Sequence, residues 1–166
     1  MAAELVRSRL LLWATAFAAA AALGIPWQLE IGPGLLAGPA IGIVLFFVLA
    51  GGPPRIPQRG APAVCLRSAY LIAAAGFEEL IWRGVVLALL ASYTGTLSAL
   101  VLTSVGFALW HVRSLGGRCV VHGLTGLAFG GAYLCGGITA AVVAHGLYNV
   151  LVDLSVQAAE ASEGSV

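Results

Sequence analysis

The sequence predicts an all-α protein, a polytopic bundle of about six transmembrane helices with a four-helix core. The first observation is composition: of 166 residues, 60% are hydrophobic and 9% are charged, and the mean hydropathy is +1.00. Such a chain lacks the polar residues that would cover a water-soluble globule. The second is that apolar residues form runs long enough to cross a bilayer, and the third is that nearly all arginines fall between these runs. We therefore expect a multi-pass protein of the cell membrane, surrounded by lipid.

The charge balance excludes one class of partner. The chain has no lysine, and its eight arginines are nearly balanced by seven acidic residues, for a net charge of +1. This leaves no basic surface of the kind that binds nucleic acid, so we expect no nucleic-acid partner. Cys65, Cys119 and Cys135 have no metal-ligand spacing and lie in or beside apolar runs. We treat them as small hydrophobic residues.

The apolar runs are separated by clusters of glycine, proline and arginine. A transmembrane helix needs about 20 apolar residues to cross about 30 Å of hydrocarbon. On that rule the predicted spans are Leu10–Leu29, Pro33–Ala50, Ser68–Ser92, Thr96–His111, Cys119–Leu134 and Ile138–Val156.

The only long connection is Gly51–Pro62, which is too rich in proline to be helical. It divides the chain into three parts. Residues 1–63 hold two transmembrane helices and the linker, residues 64–156 form the core, and residues 157–166 form a polar carboxy-terminal tail.

The arginines predict the orientation, because positively charged loops stay in the cytoplasm. Arg83 alone lies in the middle of a span. The other seven precede span one or lie between spans two and three or between spans four and five: Arg7, Arg9, Arg55, Arg59, Arg67, Arg113 and Arg118. The opposite loops carry no basic residue. Both termini are therefore predicted to face the cytoplasm.

The amino terminus also fits a signal peptide, because Arg7 and Arg9 precede the apolar stretch Leu10–Ala22. We favour an uncleaved first helix. The apolar run continues through Trp27, which is long for a signal peptide, and removal of this helix would upset the predicted topology.

Span three carries three ionisable side chains at membrane depth. Charged groups there cost a few kcal/mol, so they are functional candidates. Glu79 and Arg83 are four residues apart with the acid first, the favourable helical order for an ion pair. Glu78 then lacks a local partner, which suits a general base. The alternative is that Glu78 belongs to a purely structural charge cluster.

Polar side chains also interrupt spans four and six. His111 ends span four, while His145 and Asn149 share one face of span six. A single intramembrane histidine is often only an interhelical hydrogen-bond donor. With Glu78, however, these side chains are expected to face one another inside the bundle. His122, near the start of span five, is interpreted as an interfacial residue without a function.

Three short motifs stand in a fixed order on spans three, four and six: Glu78-Glu79-x-x-x-Arg83, Phe107-x-x-x-His111 and His145-x-x-x-Asn149. Together they resemble the CPBP family, which groups type II CAAX prenyl endopeptidases with bacteriocin-processing and bacteriocin-immunity membrane proteins. The resemblance covers Val64–Val156. It implies an intramembrane endopeptidase that acts on a peptide or protein substrate at the membrane, without telling whether that substrate is prenylated.

The resemblance also implies roles for single residues. Glu78 looks like the catalytic glutamate that activates a water, and His111 looks like the group that helps to hold this water. His145 and Asn149 look like the donors that stabilise the tetrahedral oxyanion. The supporting residues are Glu79, Arg83 and Phe107.

Three alternatives stay open at this point. Glu78, His111 and His145 are also the ligand types of a catalytic zinc, although the HExxH signature is absent; we favour a water activated without a metal. A non-enzymatic immunity or binding protein of the same family would keep the bundle and its polar interior. A small transporter is the third possibility, and it is disfavoured because no inverted repeat is visible.

Overall fold

The computed structural model describes residues 32–54 and 61–163, together with residues 14, 15, 18, 21 and 22. The predicted first span, Leu10–Leu29, therefore lies almost entirely outside the described residues, as does the signal-peptide alternative. The arginines at positions 7, 9, 55 and 59 also lie outside them.

The described residues contain helices and turns and no strand, which confirms the all-α class. We label the helices α1 (Ala37–Ala50, preceded by a 3-10 turn at Pro33–Leu36), α2 (Ala61–Glu79), α3 (Ala88–Thr94), α4 (Thr96–Leu115), and the long stretch Val120–Glu163. A π-helical segment, Leu80–Leu87, joins α2 to α3, and a 3-10 turn, Gly116–Cys119, joins α4 to the long stretch.

The long stretch is two helices, because the chain reverses at Gly136 and Gly137. Gly137 has φ 66° and ψ −165°, a conformation that L side chains rarely adopt. In a straight helix, Phe129 and His145 would lie about 24 Å apart at 1.5 Å per residue. Their ring centroids are instead 4.4 Å apart. We label the two parts α5 (residues 120–135) and α6 (residues 138–163); their boundary coincides with the predicted loop between spans five and six.

The bundle is apolar outside, and its interior combines small residues, polar groups and the aromatic rings of Phe46, Phe107 and Phe129. Its buried core holds many alanines, among them Ala75, Ala99, Ala132, Ala140 and Ala144, each fully buried. Large side chains such as Val44, Leu66, Leu97, Leu109 and Leu124 are mostly exposed. A surface with so many large apolar groups would be a liability in water and is suited to lipid.

Length and composition give the same indication. Within the described residues, Thr96–Arg113 and Gly116–Ser162 are long and apolar enough to cross a membrane, and Gly34–Ala50 is apolar but shorter. The second of these contains the α5–α6 reversal. The count of six spans stays a prediction.

Helices α1 and α6 run in the same direction and pack closely. At this seam the glycines of α1, which have no side chain, contact the backbone of α6. A Cβ on Gly38 would lie 2.7 Å from the carbonyl oxygen of Ala140, and a Cβ on Gly42 would lie 2.6 Å from that of Ala144. Both distances are shorter than any real Cβ contact, so only glycine fits. Small residues at four-residue spacing allow this close approach of two membrane helices.

Three described arginines lie at one end of the bundle. Arg67, in the first half of α2, pairs with Asp153, in the second half of α6, at 2.6 Å. Helix α5 runs antiparallel to α6, so the turn before α5, which Arg113 and Arg118 flank, lies at that same end. This arrangement agrees with the predicted clustering of positive charge, while the cytoplasmic orientation itself stays a prediction.

Candidate functional site

The ion pair expected from the spacing of Glu79 and Arg83 is present and fully buried. Arg83 Nη1 donates to Glu79 Oε1 at 3.0 Å, and the two side chains are 1% and 0% exposed. Arg83 Nη2 also donates to the backbone carbonyl of Gly126 on α5 at 2.7 Å. Its guanidinium carbon lies 5.1 Å from the centroid of the Phe107 ring, a cation–π distance. One arginine therefore connects three helical segments.

The α-helix becomes a π-helix immediately after Glu79. Residues Leu80–Leu87 are π-helical, with the wider i→i+5 hydrogen bonding, whereas the sequence predicted one uninterrupted span. Arg83 lies inside this segment. Short π-helical stretches are rare and often occur at functional sites.

His145 on α6 completes the buried cluster. Its Nδ1 lies 2.8 Å from Glu79 Oε1, and its ring stacks on Phe129 with centroids 4.4 Å apart and planes 15° apart. The Glu79 carboxylate, ionised beside Arg83, only accepts hydrogen bonds, so Nδ1 of His145 is the donor. This fixes the orientation of the ring and leaves Nε2 for a second partner.

Glu78 lies next to that second nitrogen. Its Oε2 is 4.0 Å from His145 Nε2. The distance is too long for a direct hydrogen bond and suits a water held between the two atoms. The side chain of Glu78 is 23% exposed, whereas that of Glu79 is 0% exposed. Two adjacent carboxylates thus have different environments: one is sealed in an ion pair and the other is accessible.

His111 joins the cluster through Phe107. Its Nδ1 lies 2.8 Å from the Phe107 carbonyl oxygen, one helical turn earlier, and must donate because a carbonyl cannot. The Phe107 ring packs against His111 and His145, with centroids 4.8 and 5.9 Å away. Asn149 lies one turn beyond His145 and is half-buried.

His122, to which the sequence interpretation gave no function, belongs to the same cluster. Its ring stacks on His111 with centroids 4.1 Å apart and planes 10° apart, and it lies 5.9 Å from the Phe107 ring. One signal could have identified it. His111 and His122 lie at equal sequence distances from the Gly116-Gly117 pair, so a hairpin turning there brings them side by side.

The sequence left open a zinc ion held by Glu78, His111 and His145, as an alternative to a water activated without a metal. The residues that the structure describes contain no group of three histidine, cysteine, aspartate or glutamate side chains placed to hold a metal ion. Glu78 and His145 lie together, and the Phe107 ring packs against the rings of both His145 and His111. A metal at this site stays a sequence-based alternative.

Comparison with known proteins gives one match. A family model described as type II CAAX prenyl endopeptidase Rce1-like matches residues 60–151, more than half of the chain. The matched region contains all three motifs and the cluster built from them. No curated protein and no solved structure shows a significant match.

Proposed function

The chain belongs to the type II CAAX prenyl endopeptidase Rce1-like family, and we propose that it hydrolyses a peptide bond of a membrane-associated substrate with a water activated by Glu78. Membership of this family points to a membrane protease. The observation that carries the finer proposal is the 4.0 Å separation of Glu78 Oε2 and His145 Nε2, with His145 oriented by Glu79. A general base must reach its proton directly or through one water, and this gap fits that requirement.

The charges of the cluster support these roles. Glu78 and Glu79 contribute two negative charges, and Arg83 and a protonated His145 contribute two positive charges, so the cluster is then neutral. An uncompensated charge in a buried site is costly. We assign this neutral state to the reaction, with an ionised Glu78 to accept a proton and a hydrogen on His145 Nε2 to donate.

The proposed reaction follows from this state. Glu78 takes a proton from the water as the water oxygen attacks the carbonyl carbon of the scissile bond. The carbonyl oxygen becomes an oxyanion, which accepts a hydrogen bond from His145 Nε2 and another from the amide of Asn149. As the carbon–nitrogen bond breaks, Glu78 returns the proton to the leaving amine. Water is thereby added across the bond and the protein is unchanged.

His111 has a separate part in this scheme. Because its Nδ1–H donates to the Phe107 carbonyl, Nε2 of the neutral ring is an acceptor. We propose that this nitrogen accepts a hydrogen bond from the water or from the substrate amide. The reaction as proposed uses no metal, so a chelator is expected to leave the activity unchanged.

The membrane arrangement is proposed with the reaction. Six spans with both termini in the cytoplasm would place the arginine end of the bundle, and the nearby His111 and His122, toward the cytoplasm. We therefore expect a substrate to reach Glu78 from that half of the membrane. Fusions of a topology reporter to the carboxy terminus measure this orientation, and an external terminus would contradict it.

The test of the proposed function does not require a known substrate. Protein reconstituted in phospholipid vesicles is incubated with a bacterial membrane extract, and new peptide termini are identified by mass spectrometry. The Glu78→Gln variant serves as the control, because it keeps the shape of the side chain and removes its charge. Termini that appear with the wild-type protein and not with the variant are the expected result.

A second arm addresses the substrate class. Two quenched fluorescent peptides with a cysteine near the carboxy terminus are compared, one farnesylated and one not. Cleavage of the farnesylated peptide alone would assign the prenyl preference in the family description to this chain. Identical termini with wild-type protein and Glu78→Gln in every reaction would contradict an enzyme and favour an immunity or binding protein.

A further inference from the structure

His122 is a polar side chain of the bundle interior that the proposed reaction does not use. It lies outside the three motifs, and it comes from α5, which contributes no other side chain with an acid or a base to the cluster. Its ring nevertheless lies parallel to that of His111, at a centroid distance of 4.1 Å. Two parallel rings at this distance bury a large area against each other, so each restricts the movement of the other.

Two further contacts of His111 indicate what this stack does for its ring. The edge of its ring is held by the hydrogen bond from Nδ1 to the Phe107 carbonyl, at 2.8 Å. The Phe107 ring meets it at an angle of 63°. The χ2 torsion of histidine is broad and roughly two-fold, so contacts on the faces of the ring help to hold it against a flip. The stacked ring of His122 covers one face of the His111 ring.

The backbone holds His122 in this position. Helices α4 and α5 approach closely, since a Cβ on Gly126 would lie 3.1 Å from the Cα of Ser104, and one on Gly123 would lie 3.7 Å from the Cβ of Ala108. These contacts continue the register that pairs His111 with His122. The tightly packed hairpin therefore places His111 and His122 opposite each other, and the side-chain torsions of both residues complete the stack.

We infer that His122 is a positioning residue for the proposed reaction: its stacked ring holds His111 with Nδ1–H on the Phe107 carbonyl and keeps Nε2 as the acceptor. The inference rests on the proposed function for its effect on the rate. The position of the His111 ring can be measured without any activity. What matters in His122 is its flat ring, and its nitrogens are not required.

Two substitutions separate the ring from its nitrogens. His122→Ala removes the stacked ring, and His122→Phe keeps a flat ring without nitrogens. We expect His122→Ala to lower kcat on the cleaved peptide by roughly ten- to hundredfold, since small displacements of reacting groups have effects of this size, and to leave KM unchanged. His122→Phe is expected to retain most of the wild-type kcat. Val121→Ala, at an exposed neighbouring position, is the matched control and is expected to have no effect.

The second readout is the nitrogen NMR spectrum of ¹⁵N-histidine-labelled protein in lipid nanodiscs. The wild-type protein and His122→Phe are expected to show one His111 tautomer with the hydrogen on Nδ1. His122→Ala is expected to show a mixture of tautomers or exchange broadening at His111, with the His145 signals unchanged.

The outcomes separate this inference from the proposed function. A wild-type protein no more active than Glu78→Gln would remove the proposed function, and the NMR comparison would still test the positioning of His111. A single His111 tautomer in His122→Ala would overturn the inference, whatever the activities. Equal loss of kcat in His122→Ala and His122→Phe would overturn it too, because the nitrogens of His122 would then be required.

Discussion

Helix α6 makes two interfaces that differ in kind. Toward α1 it presents Ala140 and Ala144, which meet glycines at backbone distance, and no polar side chain is needed. One residue later, His145 faces α2 and the π-helical segment, where it binds Glu79 at 2.8 Å. The first interface is specified by the absence of side-chain atoms, and the second by their charges.

The difference shows how each interface is expected to fail. In lipid there is no hydrophobic driving force between helices, so the α1–α6 seam depends on close van der Waals packing. The polar cluster depends on compensation of charge in a buried site. A substitution that adds atoms therefore damages the first interface, and one that removes a charge damages the second. The predictions below follow this division, beginning with the largest expected effect.

Glu78→Gln is expected to lower peptide hydrolysis by about 100-fold or more, the usual range for loss of a general base, with near-normal accumulation in the membrane. The partly exposed position of Glu78 explains why the fold is spared. Activity on the cleaved peptide and the amount of folded protein are both measured. Glu160→Gln, an exposed carboxylate at the end of α6, is the control and should behave as the wild type.

Arg83→Ala is expected to destabilise the bundle by about 3–5 kcal/mol, because it leaves Glu79 as an uncompensated buried charge. The carbonyl of Gly126 also loses its donor. Unfolding in detergent, followed by circular dichroism, measures the effect. If Glu78→Gln lost as much stability as Arg83→Ala, Glu78 would be structural and the division between the two carboxylates would be wrong.

Gly42→Ala is expected to destabilise the protein by about 1–3 kcal/mol, the usual cost of overpacking, because the new Cβ meets the carbonyl of Ala144. Gly76→Ala on α2 is the matched control. There the nearest atom, on the Val142 side chain, is 3.8 Å away, and the replacement of a helical glycine should stabilise by about 0.5–1 kcal/mol. Effects of the same sign at both positions would contradict the description of the seam.

Arg67→Ala is expected to have the smallest effect, about 0–1 kcal/mol, because the Arg67 side chain is 56% exposed. Hydrogen bonding to Asp153 and its negative charge raise the pKa of Arg67, so Arg67 stays charged at neutral pH and loses its charge only in strong alkali. Added salt should weaken the ion pair. Unfolding measured at low and high salt tests this prediction. A large loss of stability that does not depend on salt would contradict it and would show that the pair is as important to the fold as Arg83.

The sequence indicated local features of this protein well. The helical class follows from long apolar runs, and the Glu79–Arg83 pair follows from their spacing on one helix. The reversal between α5 and α6 was predicted from the glycines at positions 136 and 137. Each of these inferences uses residues that are close in the chain, where helical geometry fixes the neighbours.

The tertiary structure decided which partners the polar groups take. Spacing could not tell that His145 binds Glu79 at 2.8 Å and stands 4.0 Å from Glu78, because this depends on how α6 is rotated against α2. It could not show that His122 stacks on His111, since the register of the α4–α5 hairpin places it there. The sequence by itself determined which residues are too polar for lipid and must be buried. Only the packing of the helices determined which of them meet, because that depends on contacts between residues far apart in the chain.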